Sequence, residues 1–186
     1  QAFKASCAGA ELSQPKISDA SQSYYYSLST PLRENRYATS NGAGADMTGN
    51  TTATTASYWK FVRRADGTLN IVNCADGTFV SPASGNNTAL KTQTASPAAG
   101  WTLKAADAVG YFIITSGTVE FNQTNNSSLG YKVYNWGSGT NTSDTGCKYS
   151  IREASLNEFT VRFVSEAGEA IGTDERLLLS GEEEVT

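Results

Sequence analysis

The stretch that decides the fold runs from Ser57 to Asn73 and reads SYWKFVRRADGTLNIVN. A tryptophan opens a short alternation of apolar and polar residues, an Asp-Gly pair interrupts it, and a second alternation follows. Residues 100–115, GWTLKAADAVGYFIIT, repeat this order in different letters. Because alternation with period two is typical of β-strands and Asp-Gly is typical of tight turns, each stretch predicts a strand, a turn and a second strand.

A third copy, GCKYSIREA, spans Gly146 to Ala154, and three series of matched positions recur at spacings of 42 to 48 residues. Each unit holds about four short strands, separated by turns rich in Gly, Asn, Asp and Pro. The matched positions are Trp59, Trp101 and Tyr149; Leu28, Ile71 and Ile113; and Tyr37, Phe79 and Phe121.

Four strands in each of three units agree with two architectures. A propeller typically needs four or more blades to close its ring. A β-trefoil needs three units, whose strands close a six-stranded barrel capped by three hairpins. The repeat therefore predicts an all-β protein, with a β-trefoil over residues 17–155. Trp59, Trp101 and Tyr149 occupy equivalent places, so we expect them to pack in the common core.

The order aromatic-x-Phe/Leu, DG-x-L-x-I-x-N and G-x-F/Y-V/A-S/T resembles the ricin-type β-trefoil lectin superfamily, and it is closer to divergent modules of secreted glycan-processing and surface proteins of gut bacteria. The resemblance covers roughly Ile17 to Ala154. It implies a non-catalytic carbohydrate-binding module whose partner is a glycan or polysaccharide. Ricin-type lectins carry Gln two residues before the repeat Trp, whereas this chain has Ser57 and Ala99 there. The galactose-binding residues of the family therefore cannot be transferred.

The third unit combines the two groups that a sugar site needs, an exposed aromatic face and polar side chains for the hydroxyls. In YKVYNW, alternation turns Tyr134 and Trp136 towards solvent if Val133 faces the core. The alternative is that Trp136 packs against the loop of residues 137–145. The loop around Asn41 to Asp46 is a weaker candidate because it has no aromatic partner. The predicted ligand-binding residues are Trp136, Tyr134, Asn135, Asn125, Asn126 and Asp144.

Composition argues against several other functions. The sequence has no histidine, which excludes a Ser-His-Asp site and a His-ligated metal, and we predict neither a metal nor a cofactor. A net charge of -4 gives no electrostatic reason to expect nucleic acid. No run of eighteen apolar residues predicts a membrane span. Acidic residues such as Asp66 and Asp76 sit in Asp-Gly turns, so we expect no catalytic site.

The two ends of the chain lie outside the repeat. Residues 1–16 show no strong periodicity and are predicted to be an N-terminal tether. Residues 156–186 hold eight of the 18 acidic side chains and two of the 14 basic ones, which indicates a boundary before them. They predict a β-hairpin with strands at Phe159–Val164 and Leu177–Leu179, which either docks on the trefoil or begins a further domain of the same chain.

The cysteines and the first residue bear on location. The spacings of Cys7, Cys74 and Cys147 match no zinc pattern. Cys74 and Cys147 either pair or lie as buried thiols, and the second reading is favoured. Gln1 stands in place of Met, which predicts a mature chain after removal of a signal peptide and hence a secreted or cell-surface protein.

Three functions therefore stand at this point. The first is a non-catalytic carbohydrate-binding module of a larger secreted or surface bacterial protein. The alternative is a structural or protein-interaction trefoil spacer without a sugar site. The third is a fragment of an enzyme whose active site needs a region outside this chain.

Overall fold

The computed structural model describes residues 14–83, 85–136 and 143–180. Short strands dominate it, and the helical segments among these residues are single 3-10 turns. No helix in the described part of the chain is long and apolar enough to cross a membrane. The strands are β1 Tyr25–Ser29, β2 Tyr37–Thr39, β3 Thr48–Asn50, β4 Tyr58–Arg63, β5 Leu69–Asn73, β6 Phe79–Ser81, β7 Thr88–Ala89, β8 Lys91–Gln93, β9 Thr102–Ala105, β10 Phe112–Ser116, β11 Val119–Gln123, β12 Val133–Asn135, β13 Ser150–Ala154, β14 Leu156–Val161 and β15 Glu175–Ser180.

Six of these strands close a barrel. β13 pairs with β1, β1 with β4, β4 with β5 and β9 with β10, all antiparallel. Bridges between Leu69 and Trp101 and between Phe112 and Tyr149 complete the ring. Closure leaves no exposed edge around the barrel, so its inward side chains share one core. The prediction of an all-β trefoil fold is confirmed.

Three hairpins, β2–β3, β6–β8 and β11–β12, cap one end of the barrel. Their backbones meet in a cyclic set of hydrogen bonds. The N–H of Met47 donates to the carbonyl of Leu90 at 2.8 Å, Leu90 to Val133 at 2.8 Å, and Val133 to Met47 at 2.9 Å. Each of these residues follows the previous one by 43 positions. This triangle marks the pseudo-threefold axis that relates unit 1 (β1–β4), unit 2 (β5–β9) and unit 3 (β10–β13).

Strand register corrects one member of a predicted series. Leu28 lies opposite Ile151 and Ile71 opposite Phe61, while in unit 3 the corresponding residue opposite Leu103 is Ile114. The prediction of Ile113 was therefore wrong by one position. A shift of one residue turns a side chain to the other face of a strand, and it is Ile114 that belongs to the central apolar cluster.

A second series carries the same error in unit 3. Ala38 and Val80 pair with Gly49 and Thr92, which follow Met47 and Leu90 of the hydrogen-bonded triangle by two positions. In unit 3 the residue that pairs two positions after Val133 is Phe121. Phe121 is thus the counterpart of these two core residues, and Glu120 is the counterpart of Tyr37 and Phe79. The sequence comparison matched aromatic letters, which do not reveal the register.

The predicted core aromatics are buried as expected. Trp59 and Trp101 have no exposed surface, and their indole N–H groups donate to the carbonyls of Ala38 and Val80, each at 2.9 Å. Tyr149 takes the third place and packs edge-on against Phe121, with ring centroids 5.6 Å apart. In units 1 and 2 a large tryptophan is paired with a small residue, Ala38 or Val80. In unit 3 the smaller ring of Tyr149 is paired with the larger Phe121, and this exchange keeps the core filled.

Residues beyond the barrel form the expected hairpin, with shifted bounds. β14 and β15 pair over Leu156–Val161 and Glu175–Ser180, whereas the predicted strands began at Phe159 and Leu177. Leu178 packs with Tyr25 and Cys74, and the hydroxyl of Tyr25 donates to Glu158 at 2.8 Å. The hairpin thus contacts the barrel. The predicted tether at residues 1–16 lies mostly outside the described residues. The predicted division into domains stays a prediction.

Cys74 and Cys147 are both buried, and no disulfide joins them. Of the two alternatives that the sequence leaves open for this pair, the structure has the one without the disulfide. Cys7 lies outside the described residues.

Candidate functional site

A cleft of about 490 Å³ lies on unit 3, at the side of the hairpin cap. It contains five of the six predicted site residues, and Asn135 is the exception. We call it the third-unit cleft. Its lining consists of Arg33, Asn87, Asn122, Thr124, Asn125, Asn126, Leu129, Tyr134, Trp136 and Asp144.

Strand β12 supplies the aromatic wall. Val133 is fully buried in the core, Tyr134 is half-buried, and the side chain of Trp136 just beyond the strand is 43% exposed. This is the alternation that the sequence predicts, with Tyr134 and Trp136 on the face away from the core. Because Trp59 and Trp101 are fully buried, Trp136 is the solvent-facing tryptophan of the chain.

Asn135 does not line the cleft. It is 3% exposed, its Nδ2 donates to the carbonyl of Gly85 at 2.6 Å, and its Oδ1 accepts the N–H of Glu120 at 2.9 Å. Its amide therefore ties β12 to the neighbouring backbone. The period-two argument that turns Trp136 outward also turns its neighbour Asn135 inward, so the prediction of a ligand contact there conflicts with its own premise.

A second wall comes from the segment after β11. Asn126 caps the 3-10 turn Ser127–Leu129, and its Oδ1 accepts the N–H of Ser128 at 2.9 Å. Its own N–H donates to Oγ1 of Thr124 at 3.1 Å. Within the described residues the Nδ2 of Asn126 and the side chain of the exposed Asn125 make no hydrogen bond. Amide groups at this wall are thus available to a ligand.

An ion pair forms the third side of the cleft. Oδ1 of Asp144 accepts Nη2 of Arg33 at 2.6 Å and the N–H of Gly146 at 2.7 Å, so the carboxylate also caps the 3-10 turn Thr145–Cys147. Nε of Arg33 donates to Oγ1 of Thr145 at 3.1 Å. Both charged side chains are about four-fifths buried, with 23% and 19% exposed. Their opposite charges neutralise each other inside the cleft.

The floor beneath this pair is tightly packed. A Cβ atom at Gly146 would lie 2.7 Å from the backbone oxygen of Gln123 and 2.8 Å from Oδ1 of Asn122, so only glycine fits without displacing its neighbours. Nδ2 of Asn122 donates to Sγ of Cys147 at 3.1 Å. Burial raises the pKa of the Cys147 thiol far above its ordinary value, which keeps it neutral and unreactive.

Sequence reasoning missed Arg33, Asn87, Asn122, Thr124 and Leu129. Arg33 comes from the β1–β2 loop of unit 1 and Asn87 from the turn before β7 in unit 2, and no local pattern points to either residue. Asn122 could have been predicted, since alternation along VEFNQ turns its side chain to the face of the strand opposite to that of the core residue Phe121.

The aromatic wall of the cleft occurs only in the third unit, because the threefold-equivalent positions of units 1 and 2 carry no aromatic side chains. Tyr134 and Trp136 follow the triangle residue Val133 by one and three positions. The corresponding residues are Thr48 and Asn50 in unit 1 and Lys91 and Gln93 in unit 2. The three units share one core, but the aromatic pair Tyr134 and Trp136 has no counterpart in units 1 and 2.

The weaker candidate, the loop Asn41 to Asp46, satisfies its own polar groups. Nδ2 of Asn41 donates to the backbone oxygen of Asp46 at 2.8 Å and to Oγ1 of Thr48 at 3.1 Å. The Asp46 carboxylate pairs with Lys132 at 2.7 Å and Lys91 at 3.4 Å. The hydrogen bond from Lys132 lowers the pKa of Asp46. This loop joins three units and offers a ligand few open polar groups.

Three solved structures that resemble this chain are β-trefoils. A ricin B-like lectin of Macrolepiota procera in complex with lactose is 11% identical, with a TM-score of 0.60, over 75% of this chain and 98% of that one. The Rhizoctonia solani agglutinin is 16% identical, with a TM-score of 0.58, over 75% and 99%. The designed threefold-symmetric protein ThreeFoil is 15% identical, with a TM-score of 0.56, over 68% and 96%.

These likenesses establish the fold. The chain has a β-trefoil fold, as its sequence pattern predicts, and in that fold it resembles a ricin B-like lectin. No protein-family model matches the sequence. No curated protein matches it either. Since the identities are low, function must be argued from the residues of the cleft.

Proposed function

We propose that this chain is a non-catalytic carbohydrate-binding module of a larger secreted or cell-surface bacterial protein, and that it binds a glycan in the third-unit cleft. The observation that carries the proposal is the 43% exposure of Trp136 beside Tyr134, in a cleft where four of the other eight lining residues are asparagines. An aromatic face binds the C–H side of a sugar ring, and amides bind its hydroxyls. The lectin-like fold supports the same conclusion.

The acidic content of the cleft favours binding over hydrolysis. Glycoside hydrolases generally place two carboxylic groups on either side of the scissile bond. Among the residues that line the third-unit cleft, Asp144 is the single carboxylate, and it is held by Arg33. A carboxylate in this arrangement is an acceptor for a sugar hydroxyl and a structural cap.

Neutral glycans are the ligand class that the charges favour. Arg33 neutralises Asp144, and the other lining residues are amides, a hydroxyl and apolar or aromatic groups. An anionic sugar would meet no unpaired cation among the lining residues, and it would lose hydration without compensation. We therefore expect uronic and sulfated glycans to bind less tightly than neutral ones.

A glycan array of neutral and acidic oligosaccharides tests the proposal, followed by titration of tryptophan fluorescence. Because Trp59 and Trp101 are fully buried, acrylamide quenching reports on Trp136, and a bound sugar should protect it. We expect one site per chain. Trp136→Ala should abolish binding and change the melting temperature by about 2 °C or less, as for a surface substitution.

Gln93→Ala is the matched control, since Gln93 occupies the place of Trp136 in unit 2. Binding should survive this change. An array without hits, together with unchanged quenching of Trp136 in the presence of every glycan, would refute the proposal.

One observation favours the spacer function as the second candidate. The hairpin extension carries exposed apolar side chains at Phe159 (43%), Phe163 (42%), Val164 (47%) and Ile171 (69%). Such side chains are suited to contact with another protein or domain. Absence of glycan binding combined with loss of stability in Trp136→Ala would favour this candidate, because Trp136 would then act as a packing residue.

A further inference from the structure

The two aromatic residues of the cleft are arranged as a pair along one strand. Tyr134 and Trp136 are two residues apart and face the same side, which separates their Cα atoms by about 7 Å. Both line the same continuous cleft. Two ring platforms set side by side in this way offer successive places for two rigid rings of one ligand.

Each aromatic also has an asparagine beside it across the sheet, one on a strand and one in the turn that precedes a strand. Asn122 lies directly opposite Tyr134 in the β11–β12 pair. On the other side of β12, Thr88 lies opposite Asn135, so Asn87 follows next to Trp136, and its N–H donates to the carbonyl of Asn135 at 2.8 Å. Cross-strand neighbours lie close enough for their side chains to act on one bound group. The side chain of Asn122 is buried, at 4% exposure, and its Nδ2 donates to Sγ of Cys147. The combination of ring and amide that is open to a ligand is therefore that of Trp136 with Asn87.

The cleft is larger than a single sugar ring. A hexose has about a dozen non-hydrogen atoms, and at about 30 Å³ of liquid for each water molecule it displaces less than about 360 Å³, because bonded atoms lie closer together than waters do. The cleft of about 490 Å³ exceeds this upper limit. One monosaccharide leaves part of the cleft filled with water.

From this arrangement we infer that the third-unit cleft binds two consecutive sugar residues of an uncharged glycan, one at Trp136 with Asn87 and one at Tyr134. The inference rests on the proposed function and specifies the length of the ligand. Trp136 is the principal platform because it is the more exposed of the two, and Tyr134 provides the added contact of an oligosaccharide.

Fluorescence titration of the whole chain with three sets of neutral probes tests this inference. The sets are glucose, cellobiose and cellotriose; galactose and lactose; and mannose with a mannobiose. In a set that binds, the disaccharide should have a Kd about tenfold lower than its monosaccharide. A third residue should add less than about twofold, since the described lining of the cleft has no third aromatic ring.

Variants of Tyr134 separate the two places. Tyr134→Ala should remove the tenfold advantage of the disaccharide and leave the Kd of the monosaccharide within about twofold. Tyr134→Phe keeps the ring and should keep most of the advantage. Melting temperatures of both variants show whether the strand is intact.

Equal affinity for monosaccharide and disaccharide, or equal weakening of both by Tyr134→Ala, would overturn the two-residue arrangement while leaving carbohydrate binding in place. Absence of binding to every probe and to every glycan on the array would overturn the proposed function together with this inference. The two failures are therefore distinguishable.

Discussion

Tyr149→Phe should stabilise this protein, although it alters one of its most buried residues. Tyr149 has no exposed surface, and its hydroxyl makes no hydrogen bond within the described residues. A buried polar group without a partner costs about 1–3 kcal/mol. Removing the oxygen leaves a void of about 15 Å³, which costs about 0.4 kcal/mol at 24 cal/mol per Å³. The gain from removing the unsatisfied group is larger, so we expect a net stabilisation of about 1 kcal/mol.

Urea unfolding at pH 7, followed by circular dichroism, measures this change. The midpoint should rise with an unchanged m-value, and the melting temperature should rise by about 2–4 °C. Tyr26→Phe is the matched control, because the hydroxyl of the buried Tyr26 accepts the N–H of Lys16 at 2.8 Å. Losing that hydrogen bond should lower stability by about 1 kcal/mol.

The pH dependence gives an independent check. Burial raises the pKa of Tyr149 well above its ordinary value of 10.0. Just above pH 10 only the unfolded chain releases this proton, and this release stabilises the unfolded state. The protein with Tyr149 therefore keeps its stability below pH 10 and loses stability as the pH rises further. The advantage of Tyr149→Phe should therefore grow by about 1.4 kcal/mol between pH 8 and pH 11.

A Tyr149→Phe variant that is no more stable than the unsubstituted protein would refute the reasoning. It would mean that the hydroxyl has a partner, such as a buried water, and that the third unit tolerates tyrosine in place of tryptophan without a polar penalty.

Three further substitutions follow from particular contacts. Gly146→Ala should destabilise the chain by about 2 kcal/mol in urea unfolding and weaken glycan binding, because its Cβ would lie 2.7 Å from a backbone oxygen beneath the cleft. Asp46→Asn should cost about 0.5–1 kcal/mol at pH 7. Because its lysine partner lowers the pKa of Asp46, this difference should be present above the ordinary pKa of 3.8 and vanish as the pH falls through the lowered value. Leu178→Ala should speed the reaction of Cys74 with a thiol reagent about tenfold, since Leu178 packs against it and local opening becomes easier.

Each of these predictions has its control. Gly172→Ala should change little, because its Cβ would meet Phe163 at an ordinary 3.4 Å. For Asp46→Asn the measurement at low pH is the control. A difference in the free energy of unfolding that persists at pH 2 would contradict an ionic origin. Thiol labelling is carried out in a Cys7→Ser background, where an unchanged rate in Leu178→Ala would show that the hairpin does not cover Cys74.

The architecture was predictable because it depends on repeated local patterns. Trp59 and Trp101 each open an alternating strand, and each marks the same place in its unit. A closed barrel of three units is the arrangement that buries all three apolar faces together. Register was less predictable, as Ile113 and Phe121 show, because matching letters does not distinguish neighbouring positions in an alternating strand.

The candidate cleft was half predictable. Tyr134 and Trp136 were found because an alternating strand with one known inward residue orients its neighbours. Asn135 was predicted to contact the ligand, although the same rule would have placed it inside, where the structure has it. Arg33 and Asn87 had no signal, since each belongs to another unit and approaches the cleft through the closure of the barrel.

By itself, the sequence determined the three-unit β-trefoil, its aromatic core and the unit that carries the exposed tryptophan, because these depend on periodicity within single strands. The tertiary structure alone decided that Arg33 neutralises Asp144, that Asn87 stands next to Trp136, and that the hairpin extension covers Cys74. These contacts join residues separated by 49 to 111 positions in the chain. Such pairs meet only when loop closure and strand register are set by the packing of the whole barrel, and no local pattern of residues records that packing.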